Sequence, residues 1–244
     1  MKRLIMCVFV WAVGLCCVSD LNAQTLSVGL MDVDRPPYFW KDDGRYQGLF
    51  IEVLEALSKE SGISFSYQSL PQARIRLYML AGRLDVEPGI APKWRRKKGE
   101  AEVSVYTDSF MTIEQVYVVS GMKNIEKPKR SDLAGFKFCN VLGFSKPARD
   151  GKENIQELLS ESQLLGMLDK GRCDYATLPL DVLNYLQRTG NYSVTHSEPF
   201  IRFALRLRLH QRHKDLVPVL NEALTKMKQN GRLAKILEDY QYIY

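Results

Sequence analysis

Between residues 26 and 90 the hydrophobic periodicity switches repeatedly between that of a strand and that of a helix. No other feature constrains the fold of this chain as strongly. Residues 26–31 alternate as a strand does. Residues 48–61 place Leu49, Phe50, Val53, Leu54 and Leu57 on one helical face, and Gly62 stops that helix. Residues 64–69 form a second predicted strand. Residues 73–81 form a second helix, carrying Ile75, Leu77, Tyr78 and Leu80 and closed by Gly82. Residues 85–90 make a third strand, interrupted by Pro88-Gly89. Strand, helix, strand, helix, strand implies parallel βαβ units and an α/β sheet.

The second half restarts the pattern. Residues 112–119 are a β-branched run of the kind that crosses between units, and 136–142 read as a strand ending in Gly143. Residues 155–159 and 164–168 read as helical, ending at Gly171; 175–178 read as a strand and 182–186 as a short helix. An extended stretch at 203–209 precedes two helices, 216–229 and 232–240. Two similar α/β units joined by a chain that crosses twice make a hinge-and-cleft plan.

At the N-terminus Lys2 and Arg3 precede an apolar run over residues 4–18, and a polar stretch leads to Ala23. That is the three-part plan of a secretory signal peptide over residues 1–23, and the run is short for a membrane span. Leu15-Cys16 lacks the small residue that a lipoprotein signal would place before its cysteine. Removal of the segment takes Cys7, Cys16 and Cys17 with it and leaves Cys139 and Cys173. In an oxidising compartment these two form a disulfide or remain separate buried thiols, and the sequence leaves both open. The net charge of +6 is spread over predicted helices beside acids. Solvated faces are therefore expected, and the basic run at residues 95–98 is not expected to meet nucleic acid in an exported protein.

Six segments, in order, carry a resemblance. They are Asp34-Arg35-Pro36-Pro37-Tyr38; Asp43-Gly44 followed by Gly48-Leu49-Phe50-Ile51-Glu52; Gly82-Arg83-Leu84-Asp85-Val86; Asp132-Leu133-Ala134-Gly135; Gly171-Arg172-Cys173-Asp174; and Leu220-Asn221-Glu222-Ala223-Leu224 with Gly231. Together they resemble the family-3 extracellular solute-binding proteins of the amino-acid-binding type, over nearly the whole chain after residue 23. The resemblance implies a two-lobed, periplasmic-binding-protein-like α/β fold of type II. Each lobe would be a mixed, mainly parallel sheet flanked by helices, with a two-segment hinge. Lobe 1 is expected over 24–117 plus 207–244, and lobe 2 over 118–206. It also implies a periplasmic monomer that captures a small polar ligand, an amino acid or related carboxylate, for the membrane subunits of an ABC transporter, with no cofactor and no metal.

The same resemblance suggests the site. Asp34, Tyr38 and Trp40 belong to the aromatic turn expected to line the cleft, where a ring face packs on the ligand. An arginine after the third strand is expected to clamp the ligand carboxylate, because its planar fork makes two parallel charge-assisted hydrogen bonds. Spacing from Gly89 favours Arg96, and the Pro92-x-Trp94-Arg95 context favours Arg95. Gly89, in the third strand, Arg74, at the start of the second helix, and Ser145, in a Gly143-Phe144-Ser145 loop, complete the expected set. One departure stands out. Where amino-acid binders place an acid for the ligand ammonium, this chain has Pro179, with Asp181 two residues on. Either Asp181 takes the role through a shifted loop or the ligand has no ammonium there.

Two other functions compete. A dehydratase on the same scaffold would need a cleft acid to protonate a leaving hydroxyl, and Glu87 is the candidate unless it is paired with an arginine. A stand-alone sensor input module would need a separate signalling partner. His196, His210 and His213 lack ligand spacing and read as surface or hinge residues.

Overall fold

The computed structural model describes residues 24–145 and 155–241; the expected signal peptide lies outside them. In chain order the strands and helices begin with β1 (Thr25–Met31) and a short hairpin of β2 (Trp40–Asp42) and β3 (Arg45–Gln47). There follow α1 (Leu49–Ser61), β4 (Ser64–Leu70), α2 (Gln72–Leu80), β5 (Val86–Ile90), α3 (Lys98–Glu102), β6 (Ser104–Tyr106) and β7 (Met111–Ser120). The second unit adds β8 (Phe138–Val141), β9 (Ile155–Leu158), α4 (Glu161–Asp169), β10 (Tyr175–Pro179), α5 (Leu180–Thr189) and β11 (Val194–His196). The long strand β12 (Ile201–His210) leads to α6 (Val217–Gln229) and α7 (Arg232–Gln241).

The strands run in the order β4-β1-β5-β12-β7-β10-β8-β9, with β6 on β12 and β11 on β7. The β1–β4, β1–β5, β8–β9 and β8–β10 pairs are parallel, as the βαβ reading requires. The two lobes meet at β7 and β12. These strands pair antiparallel with each other from Met111↔Leu205 to Gln115↔Ile201, then part company. Beyond Gln115, β7 pairs with β10, and from Arg206 onward β12 pairs with β5 and then β6. Each lobe is thus hung on one end of a two-stranded ribbon, which is the two-segment hinge.

The first lobe is organised by α1, which buries Leu49, Phe50, Ile51, Val53, Leu54 and Leu57. Its free N-terminal N–H groups meet the aromatic turn: Leu49 donates to Pro37 O at 3.0 Å and Phe50 to Tyr38 O at 2.9 Å. Gly48 makes this approach possible, at φ 117° and with Tyr38 O 2.5 Å from where a Cβ would stand. The far end of the chain returns to the same helix, where Tyr240 donates to Glu52 Oε1 at 2.7 Å.

Strand β5 is buried along its whole length. Pro88 brings no N–H to the ladder, and the register with β12 shifts there, from Arg206↔Ile90 to Arg208↔Glu87. A proline in a central strand is tolerated at such a bulge. Gly89, at φ 70°, leaves its Cβ position to the Phe50 ring, whose Cζ lies 2.2 Å from that point.

Two expectations are corrected or settled here. Residues 155–158 are a strand, not a helix; they extend the sheet by pairing with β8 from Phe138↔Ile155 to Val141↔Leu158. Four residues of mixed pattern fit either period, and the open edge of β8 decides. Cys139 and Cys173 are joined in a disulfide, with their Cα atoms 5.9 Å apart. A Gly89→Ala substitution is expected to cost about 2–4 kcal/mol, from the strained φ and the crowded Phe50 ring. A urea midpoint unchanged from the parent protein would refute this packing.

Candidate functional site

A cleft of about 460 Å³ lies between the lobes. The first lobe contributes β1, Phe39, Phe50, β5 and the Lys93–Arg96 segment; the second contributes Asn140, Phe144, Ser145, Leu164 and Thr177–Pro179. Gln115, Ile201 and Phe203 close it from the hinge strands. Trp94 and Phe203 pack across it with ring centroids 4.8 Å apart, and Phe200, at its mouth, stacks on Tyr117 at 4.1 Å.

Glu87 faces this cleft but is already saturated. Gln72 Nε2 donates to Oε1 at 3.0 Å, Arg95 Nε to Oε2 at 3.1 Å and Arg208 Nη1 to Oε2 at 2.8 Å, and Arg95 Nη2 makes a further short contact with Oε1. Burial works against the charge, but the two guanidiniums outweigh it and hold the carboxyl down at about 2. It therefore carries no proton near neutral pH and is not a general acid in this arrangement. Arg208 is fully buried; its Nε donates to Ser104 Oγ at 2.7 Å, and Nη2 finds no partner among the described residues. Glu100, also buried, accepts from Arg76 Nε at 2.8 Å and lies 3.9 Å from Arg95.

The lobes are held together by polar contacts around the cleft. Arg35 Nε donates to Glu161 Oε1 at 2.6 Å, and its guanidinium lies 4.9 Å from the Tyr38 ring centroid and 5.0 Å from that of Phe144. Glu161 sits in the first turn of α4, where the helix dipole favours an anion. Tyr38 donates to Asp181 Oδ2 at 2.6 Å, and burial raises the Asp181 carboxyl above the usual range against the pull of that bond and of Arg35. Arg76 Nη1 donates to Gly143 O at 2.9 Å, and Ser145 Oγ to Trp94 O at 2.7 Å. The arrangement is closed.

Of the expected site residues, Gly89, Arg95, Arg96 and Ser145 line the cleft. Arg95 is buried against Glu87, whereas Arg96 is exposed and has no ion-pair or hydrogen-bond partner among the described residues. The structure brings the other residues together differently. Asp34 accepts from the Lys41 N–H at 3.0 Å in an exposed turn, and Arg74 is exposed on α2. Trp40 is turned by the β2–β3 hairpin onto Tyr240, at 6.4 Å. Tyr38 is fully buried, stacked on Phe50 at 4.6 Å, and with Asp181 forms an interlobe bond rather than a wall of the cleft. Lys93, Gln115 and Thr177 also line the cleft and were not singled out from the sequence. Lys93 precedes the basic run at 95–98 and carries no motif of its own; the other two stand on strands where alternation alone does not say which face meets the cleft.

The profile of the bacterial extracellular solute-binding proteins, family 3, matches residues 26–242, and the chain belongs to that family. The L-cystine-binding protein TcyA of Bacillus subtilis is 26% identical over 220 residues, spanning 86% of this chain and 79% of that protein. A histidine kinase sensor domain with similarity to periplasmic binding proteins superposes with a TM-score of 0.75 at 19% identity, covering 90% of this chain and 97% of that one. The substrate-binding protein of an amino acid ABC transporter gives 0.71 at 19% identity, covering 88% and 98%. No helix among the described residues is long and apolar enough to cross a membrane, and no group of His, Cys, Asp and Glu among them could hold a metal ion.

Glu87→Gln is expected to destabilise the protein by about 3–5 kcal/mol at pH 7, because it leaves the buried Arg208 without its counter-charge and Arg95 with only the more distant Glu100. Glu87's folded value of about 2 lies below its ordinary 4.5, so its stabilisation is full above pH 4.5 and is lost as pH falls toward 2. Denaturant titrations across that window should show a shallower acid slope in the variant; identical slopes would contradict the pairing.

Proposed function

We propose that this chain is an exported solute-binding protein that closes on a small carboxylate, an amino acid or a related acid, and presents it to an ABC transporter. The observation that carries the reading is an interlobe cleft lined by a guanidinium, Arg96, that has no partner among the described residues, beside Lys93, while the neighbouring Arg95 is paired with Glu87. The L-cystine named for the Bacillus relative and the transporter named for the structural neighbour point the same way. Residues 1–23 would be the export signal, residues 24–117 with 207–244 the first lobe, and 118–206 the second. The ligand would touch both lobes only when they are closed and so shift the open–closed equilibrium. The protein would act as a monomer.

A thermal-shift screen against amino acids, small carboxylates, polyamines and sugars tests this. A ligand at 100 times its Kd stabilises by about 2.7 kcal/mol, enough to move the midpoint by several degrees. The expected hit carries a carboxylate and disappears in Arg96→Ala. Hits confined to polyamines or sugars, or a carboxylate hit unchanged in Arg96→Ala, would overturn the reading.

A further inference from the structure

The charges lining the cleft do not balance. Arg35 is matched by Glu161, and Glu87 by Arg95 and Arg208. Lys93 and Arg96 have no carboxylate partner among the described residues. Lys93 Nζ instead lies 3.8 Å from the Phe203 ring centroid, a contact that leaves its positive charge unneutralised. Burial lowers the Lys93 pKa, and the positive charge of Arg96 lowers it further, so the two cations repel each other across the same space. An anion placed between them would relieve that repulsion.

The same lining offers a second cation nothing comparable. Glu87 is the one carboxylate among the described lining residues, and its oxygens are taken by Gln72, Arg95 and Arg208. Asp181 is outside the cleft lining and accepts from Tyr38. The donors of Asn140 and Ser145 point to Val141 O at 3.0 Å and Trp94 O at 2.7 Å. Gln115 and Thr177 remain, and both are neutral. Among the described residues the rest of the wall is apolar or aromatic, from Phe39 and Phe50 to Phe144 and Phe200. A ligand ammonium enclosed here would lose its water without gaining a counter-charge from the described residues.

We infer that the cleft selects a small apolar or aromatic carboxylate that carries no ammonium group, with its anion taken by Arg96 and Lys93. This rests on the solute-binding reading and narrows its ligand class. Binding is enclosed by the aromatic wall, and the anion fixes the orientation.

Calorimetric titration of the purified protein with matched probes tests it. The pairs are 3-phenylpropanoate against L-phenylalanine and 4-methylpentanoate against L-leucine, with 2-phenylethylamine and 3-methylbutylamine as the corresponding amines. The ammonium-free acid of each pair is expected to bind tighter than its amino acid by about tenfold or more, with no binding of the amines. Lys93→Ala and Arg96→Ala should each weaken it by about tenfold, with melting temperatures of the unliganded variants unchanged, since neither side chain has a charged partner to lose. An amino acid that binds as tightly as its ammonium-free partner would overturn the inference while leaving the solute-binding reading standing. Failure of every probe would also overturn it, and the wider thermal-shift screen then shows separately whether the solute-binding reading survives.

Discussion

Glu87 lies in a strand that is buried from end to end, and a carboxylate there is tolerated because two guanidiniums and a glutamine amide meet it. The consequences spread outward. Arg208 reaches Glu87 because the Pro88-Gly89 bulge shifts the register of β12 against β5. Arg95 turns inward to the same carboxylate from the short helical turn Pro92–Arg95. Once Arg95 is committed, its neighbour Arg96 is left lining the cleft with no counter-charge among the described residues. A buried ion triad of this kind is weak evidence for stability, since well-packed apolar residues often do as well. Its value here is positional: it decides which of two adjacent arginines is drawn into the framework and which is not.

The aromatic turn after β1 performs a related task at the lobe interface. Its backbone carbonyls receive the first N–H groups of α1, which fixes the turn, and its side chains then cross to the other lobe. Arg35 reaches Glu161 at the start of α4, and Tyr38 reaches Asp181 at the start of α5. Part of the free energy of closure therefore resides in contacts between the lobes themselves. A solute has only to supply the remainder, through differential contact with the closed state. The Glu161 carboxylate is buried, so its pairing with Arg35 is less screened by water than a surface ion pair.

Much of the fold was legible because it depends on periodicity. The strands β1, β4 and β5 and the helices α1 and α2 fall within a residue or two of the positions their patterns indicate. The hinge strands announced themselves as β-branched or extended runs. Residues 155–158 were not legible as a strand, because four residues cannot separate the two periods and the edge of β8 that recruits them lies elsewhere in the chain. The site was harder. Residue types pointed to an arginine after β5, and both Arg95 and Arg96 do line the cleft, but which of them is paired internally depends on Glu87 and Arg208 facing each other across β5 and β12. Trp40 looked like a cleft aromatic, yet the β2–β3 hairpin aims it at Tyr240, a partner two hundred residues away. Asp181 looked like a displaced ligand acid, and only the three-dimensional arrangement shows Tyr38 already bonded to it.

The central claim is that the anion receptor is Arg96 with Lys93, and that Arg95 belongs to the framework. A crystal structure of the protein with whichever carboxylate stabilises it tests this most directly. The account predicts the ligand carboxylate within hydrogen-bonding distance of the Arg96 guanidinium and the Lys93 ammonium, with Glu87 still bound to Arg95 and Arg208. A carboxylate seated on Arg95, with Glu87 displaced from it, would contradict the account.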